Sequence, residues 1–318
     1  MVGALVAGGV GALIARAAGF AAVRHELARA DAAWFPVCVV AALVGLAGYA
    51  GVFREGFRWR DGPDPGAGLA AAVMLVSIGA TRVVVAGGAG ALAVTFWCFR
   101  RAAFSTQEAL VRVLGLNTLF YVTFGLGAWV SALIVAFGLG GGASLALTLP
   151  WLAVVPFCFL AASVVTDPAR RGRLTCVEGS FPRQALAYAI AGAGWVRDVL
   201  PTALGARALG HSALYWGGNV VCLWAALHSI GASLPLPALV LAFATGHVAT
   251  VLPLPLGGVG GVDAALTYTL TAFGVALAPA LVAVAVFRLF SFWLPTIPAV
   301  VALLLLPRIG RRLVVASA

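Results

Sequence analysis

The chain has 318 residues, of which 63% are hydrophobic and 9% charged, with a mean hydropathy of +1.07. Soluble domains sit near ~45–50% apolar and ~25% charged residues, so a soluble fold is excluded and a polytopic membrane protein is indicated. All 20 basic residues are Arg against 10 acids, a net charge of +10; in so apolar a chain, Arg in short loops sets orientation toward the cytoplasm and anionic lipid. No basic stripe interleaved with aromatics exists, and no nucleic-acid partner is expected.

A helical crossing needs ~20 apolar residues, and runs approaching that length recur along the whole chain. The first, Val2 to Val23, lacks the basic residue that would precede the apolar run of a signal peptide, and is expected to be a retained helix with Arg16 snorkelling near its end. Glu26 and Asp31 then fall in a small loop before Trp34 to Phe53. In "RDGPDPG", Asp61 and Asp64 have the DxxD spacing of Mg-dependent membrane transferases, but the intervening Gly-Pro, the following Pro-Gly and the lack of a second acidic pair predict a turn.

Gly66 to Ala80 and Val83 to Phe99 follow, separated by Arg82 and containing a Gly-Gly-x-Gly at Gly87, Gly88 and Gly90. Asn117 to Leu139 and Leu149 to Val165 come next, and the polar stretch Asp167 to Arg183 is loop-sized, too short to fold alone. Gln184 to Leu204 carries Trp195, Arg197 and Asp198 mid-segment, which predicts an interfacial amphipathic helix over 184–204. His211 to Ile230 has Tyr215 and Trp216 near its start, where belt aromatics sit.

Leu236 to Leu252 leads into "VLPLPLGGVGGVDAALTYTLTAFGV", a second Gly-rich broken segment over 251–275. Ala276 to Leu294, with Arg288, and Thr296 to Leu306 end the series. The expected fold is all-α: one transmembrane domain over residues 1–318, with about eight crossings plus broken or re-entrant segments near 82–99 and 251–275.

Arg clusters at Arg54 to Arg60, Arg100 to Arg112, Arg170 to Arg183 and Arg308 to Arg312 place all these loops on the cytoplasmic side if residues 66–99 enter and leave by one face. Both termini are then cytoplasmic. His211, His228 and His247, too widely spaced for metal ligands and with no acid beside them, are read as helix-packing groups. The five cysteines show no CxxC or metal spacing, and neither a metal nor another cofactor is expected.

An internal echo links the two Gly-rich stretches. Gly87, Gly88 and Gly90 recur in the second half as Gly257, Gly258 and Gly260, and the same offset aligns Leu119-Phe120 with Leu289-Phe290. Chance in an Ala/Gly/Val-rich chain produces such matches, yet paired interrupted segments in two halves also mark transporter substrate sites.

A helix broken inside the membrane frees backbone groups for a ligand. Gly261 to Phe273 would start a half-helix whose N-terminus offers N–H groups to an anion such as a lipid phosphate. Asp263 in its first turn has three readings: a cap for its own helix, a contact for a cationic headgroup, or a counter-ion for an intramembrane Arg. Arg288 and Arg82 are the candidates for that Arg, with snorkelling to an interface as the alternative for each.

The C-terminal third resembles the lysylphosphatidylglycerol synthase transmembrane region, the flippase-like part of bacterial multiple peptide resistance factors. The resemblance is carried by Pro255, Gly257, Gly258, Gly260 and Asp263, an apolar helix, then Arg288 and Phe292 to Pro295 ("FWLP"). Where the family often has Pro-Gly-Gly and Glu, this chain has Pro-Leu-Gly-Gly and Asp. Residues from Gly87 onward resemble the family's first Gly-rich segment without its usual proline.

The resemblance implies lipid translocation in the bacterial inner membrane, with Arg82, Gly87, Gly88, Gly90, Pro255, Gly257, Gly258, Gly260, Asp263 and Arg288 about the lipid. Because no aminoacyl-transfer domain is expected after Ala318, it does not imply synthase activity, and no enzyme is expected. The partners implied are an anionic or aminoacylated phospholipid or a polyprenyl phosphate, with a homo-oligomer left open. A non-transporting partner of a lipid- or glycan-modifying enzyme, or an intramembrane enzyme on a lipid phosphate, are the alternatives.

Overall fold

The computed structural model describes residues 19–83, 88–139, 145–169, 181–251 and 260–316, whose regular structure is entirely helical. In chain order the helices are α1 (Phe20–Arg29), α2 (Phe35–Arg58), α3 (Gly66–Val83), α4 (Ala89–Arg101), α5 (Thr106–Ala136), α6 (Leu145–Val165), α7 (Phe181–Val199), α8 (Ala203–Ser229), α9 (Leu236–His247), α10 (Gly261–Ala272), α11 (Leu277–Arg288), α12 (Leu294–Leu304) and α13 (Leu306–Ala316). By length and composition, residues 32–61, 66–83, 106–136, 146–165 and 277–304 could cross a membrane. The chain is a polytopic, all-helical membrane protein.

Local sequence sets the helix ends. Ser105 and Glu108 form a reciprocal capping box at the start of α5, with Ser105 Oγ accepting from the Glu108 N–H at 3.2 Å and Glu108 Oε2 from the Ser105 N–H at 2.9 Å. Pro201 lies just beyond the end of α7, and Thr202 caps α8 by accepting the Gly205 N–H at 3.1 Å. The helix expected over 184–204 therefore stops at Val199. One face of α7 packs on α5, with Trp195 fully buried, while Arg197 and Asp198 stay exposed. Glu26, expected in a loop, lies within α1.

The spine is the pair α2 and α8. Cys38 meets Cys222, Gly48 meets His211 and Glu55 meets Arg207, so the two helices run antiparallel. Glycine makes the close approach possible: a Cβ on Gly48 would lie 2.5 Å from the His211 carbonyl oxygen, and one on Gly218 would lie 2.5 Å from that of Ala41. Gly218 follows Gly48 by the offset that separates the two Gly-rich stretches, and His211 follows Ala41 by the same interval, so these are one contact seen from each helix.

The echo between the two halves is therefore structural. α8, α9, α10 and α11 each begin within two residues of where α2, α3, α4 and α5 begin, once shifted by that interval. The packing repeats too, since α3 lies on α12 as α9 lies on α5. Equivalent helices that pair antiparallel are related by a two-fold axis perpendicular to them, which for a spanning pair lies in the membrane plane. This is an inverted repeat, and its axis passes where Gly45 abuts Tyr215, its own equivalent.

Two pairs of apolar segments thereby change meaning. α3 packs on α4, and α9 on α10, so each half contributes an equivalent two-helix hairpin. Conversely, Ala276 to Leu294 and Thr296 to Leu306, expected as separate segments, form one pass in which α11 and α12 are joined by a π-helical turn over Leu289–Trp293. Pro295 has no N–H to give the Ser291 carbonyl, and the helical ladder widens there.

The Arg clusters gather at one end. Arg112 donates to the Gly56 carbonyl at 2.6 Å and the Trp59 carbonyl at 3.0 Å, while Arg101 and Gly310 both lie on Trp97. The fourth cluster is mostly outside the described residues, but its neighbour Ser163 accepts from Arg197 at 3.2 Å near the same end.

At that end Asp64 accepts from Arg54 at 2.8 and 2.7 Å and from the Gly66 N–H at 2.9 Å, closing the turn read from "RDGPDPG". The hydrogen-bonded Arg54 guanidinium pulls the Asp64 carboxyl down from the ordinary 3.8 to about 2. A folded value below the unfolded one means that this stabilisation is complete above about pH 4 and lost as pH falls toward the folded value. Asp64 is 39% exposed, so solvent screening keeps the effect modest. Unfolding temperatures measured in detergent between about pH 5 and pH 3 should fall less steeply for Asp64→Asn than for the native chain; identical slopes would refute the assignment.

Candidate functional site

Between the two halves lies a cavity of about 220 Å³. Its walls take equivalent positions from both halves, Tyr49 with Asn219 and Tyr121 with Ser291, each pair related by the repeat offset. Arg82 at the end of α3 and Arg288 at the end of α11 also line it. Neither Arg snorkels to the protein's surface; both turn inward.

The π-turn positions the ring that holds them. The Arg82 guanidinium lies 3.5 Å from the Phe292 ring centroid and that of Arg288 lies 4.6 Å away. A desolvated cation over an aromatic face gains about 2 kcal/mol, which offsets part of the cost of bringing two like charges into one buried site. Arg288, only 12% exposed, donates from Nε to Asp263 Oδ1.

Asp263 serves two of its three expected roles. Its Oδ2 accepts the Gly260 N–H at 3.0 Å, capping α10, while Oδ1 is the counter-ion for Arg288. Gly260 has φ +87°, a left-handed conformation that glycine adopts at no steric cost, so the turn needs this residue. At the N-terminus of α10, expected to face an anion, the chain thus places its own carboxylate, bonded to the Gly260 N–H. Anion-binding capacity rests on the arginines instead.

Charge and hydrogen bonding in the site remain unbalanced. Two guanidinium groups face one carboxylate, and Arg82 has no acidic partner among the described residues. Arg82 Nε and Arg288 Nη2 are buried without a hydrogen-bond acceptor. Buried donors of this kind cost about 1–3 kcal/mol each, and more when charged, unless a ligand supplies the acceptor. An anion with several oxygens would match both the excess charge and the free donors.

Of the residues singled out in the sequence, Arg82, Gly88 and Arg288 line the cavity, and Asp263 and Gly260 support Arg288 from behind. Gly90 is buried in the first turn of α4, away from the lining. Gly87, Pro255, Gly257 and Gly258 lie outside the described residues. Among the described residues no three His, Cys, Asp or Glu side chains gather as a metal site.

Several lining residues were missed. Tyr215, expected at a lipid interface, packs its ring on Tyr49 at 4.9 Å and on Phe120 at 5.3 Å and faces the cavity. His247 packs as expected, stacked on Phe243 at 5.4 Å, but it also reaches the cavity wall. His228 matches the packing role, with Nδ1 2.9 Å from the Trp224 carbonyl. Tyr49 and Tyr121 carried no local signal beyond being polar atoms in apolar helices.

Among curated proteins none matches the chain. The family model described as the lysylphosphatidylglycerol synthase TM region matches residues 1–299, nearly the whole chain and both halves of the repeat. Spanning α1 to α12 and every described element of the cavity, that match shows that the chain belongs to the lysylphosphatidylglycerol synthase TM region family.

Proposed function

We propose that the protein translocates a phosphate-bearing lipid between the leaflets of the bacterial cytoplasmic membrane, with the Arg-rich end and both termini in the cytoplasm. One observation carries this reading: Arg82 and Arg288 hold unfilled donors in a cavity lined by equivalent positions of both halves. A headgroup phosphate supplies both the charge and the acceptors that the site lacks.

Mechanism follows from the repeat. Two halves of similar structure in inverted orientation can exchange conformations, so a cavity opened to one face by one hairpin is opened to the other face by its counterpart. The headgroup stays on the arginines while access changes, and its desolvation is offset by guanidinium contacts. The π-turn, next to Arg288 and carrying Phe292, is the element best placed to couple site and helix movement. No bond is made or broken, and the reading is of a transporter rather than an enzyme.

Dithionite bleaching of fluorescent lipids in liposomes containing the purified chain tests this directly. Phosphatidylglycerol, its aminoacylated form and a polyprenyl phosphate are the probes. Protein-dependent loss of inner-leaflet protection for at least one of them is expected. Folded protein that moves none of the three would overturn the proposal and favour a non-transporting partner of a lipid-modifying enzyme.

A further inference from the structure

The central cavity continues into a larger chamber of about 500 Å³ between α3, α4 and α5, sharing Tyr49, Thr81, Gly88, Tyr121 and Thr250 with it. No charged side chain lines this chamber among the described residues. Its wall instead carries Ser77, Thr81, Thr95, Asn117, Tyr121 and Thr250. Asn117 stands exposed to it partway along α5.

Several of these hydroxyls are already engaged within the protein. Thr81 donates to the Ser77 carbonyl at 3.0 Å and Thr250 to the His247 carbonyl at 2.7 Å, while Ser77 and Thr95 share a hydrogen bond at 3.1 Å. A hydroxyl that donates inside the protein keeps oxygen lone pairs able to accept, and Asn117 adds an amide. Neutral hydroxyl groups on a ligand would find acceptors here.

A cationic headgroup would not find its partner. Asp263 is the acid nearest the cavity, and both its oxygens are engaged, by Arg288 and by the Gly260 N–H. An ammonium in this chamber would find no acid among the lining residues, and the adjoining cavity carries two guanidinium groups, one of them without a counter-ion among the described residues. Those like charges repel a cation approaching from the chamber.

From this juxtaposition of a phosphate-sized cationic pocket and a hydroxyl-lined neutral chamber, we infer that the transported lipid is a phosphodiester bearing an uncharged polyol, such as glycerol or a sugar, rather than an aminoacylated headgroup. The inference rests on the translocation reading and narrows its substrate. Asn117 and Thr95 then discriminate among phosphodiester lipids of equal charge by the hydroxyls they carry.

The test compares three fluorescent lipids in the same liposomes: phosphatidylglycerol, its lysyl ester, and phosphatidylmethanol, which keeps the phosphodiester but has no hydroxyl. Phosphatidylglycerol is expected to move about tenfold or more faster than the other two, and Asn117→Leu and Thr95→Val to slow it about fivefold each without slowing phosphatidylmethanol. Both variants are checked for unaltered unfolding temperature, because Thr95 is buried against Ser77 whereas Asn117 is exposed. Equal rates for the lysyl ester and phosphatidylglycerol, or variants that slow phosphatidylmethanol equally, overturn the polyol assignment while leaving translocation standing. No movement of any lipid by the native chain overturns both.

Discussion

Arg82→Gln should reduce lipid translocation about 100-fold while leaving the protein as stable as the native chain to within about 1 kcal/mol. The two halves of that expectation have separate causes. Transport falls because Arg82 supplies charge-assisted hydrogen bonds that no neighbour can replace: its Nε is buried without an acceptor, and it faces the cavity. Contacts of this type contribute about 1.5–3 kcal/mol each, and two of them on one phosphate account for the factor.

Stability is kept because the substitution removes a buried charge that has no acid beside it. Relief of that desolvation offsets the lost stacking on Phe292. Arg288→Gln behaves differently, since it strands Asp263 in a partly buried site and should cost about 3 kcal/mol of stability as well as transport. Transport rate and unfolding temperature, measured together for both variants, separate the roles. Native transport by Arg82→Gln would remove Arg82 from the site.

The second large effect lies in the spine. Gly48→Val should prevent recovery of folded protein, and Gly218→Val should do the same, because either side chain would be driven into the backbone of the opposite helix. Contact with a carbonyl oxygen at 2.5 Å cannot be relieved by a rotamer change, and forcing α2 from α8 disrupts packing along both helices. The cost exceeds about 3 kcal/mol, a large part of the stability of most folded domains.

Gly217→Val is the internal control. It neighbours Gly218 on α8, yet a Cβ there meets nothing within 4 Å. Size-exclusion profiles and unfolding temperatures of the three variants decide the matter. Gly48→Val with a native profile, or Gly217→Val as damaging as Gly218→Val, would show that the glycine contact does not hold the spine together.

Sequence by itself determined the solvent in which the chain folds, where its helices are interrupted and which charged residues lie within apolar segments. Hydropathy summed along a segment reports removal from water directly, and an Arg or Asp inside such a segment stands out because it is costly there. Arg82, Asp263 and Arg288 were legible for that reason, and the turn at Asp64 because Gly and Pro act locally. The constant offset between Gly87 and Gly257 and between Leu119 and Leu289 was visible too, though identity alone left its meaning open.

Tertiary structure decided what that offset means. Only the antiparallel contact of Gly48 with His211, repeated by Gly218 with Ala41, makes the halves an inverted repeat with an axis at Gly45. Tertiary packing also decided that α3 and α4 form a hairpin, that α11 and α12 make one pass, and that Tyr49, Tyr121 and Asn117 face a cavity. In a soluble protein, amphipathic periodicity would have shown which face of each helix points inward. Here lipid and protein interior are equally apolar, so a helix carries little record of which side faces which, and depth and orientation emerge only once helices pack against one another.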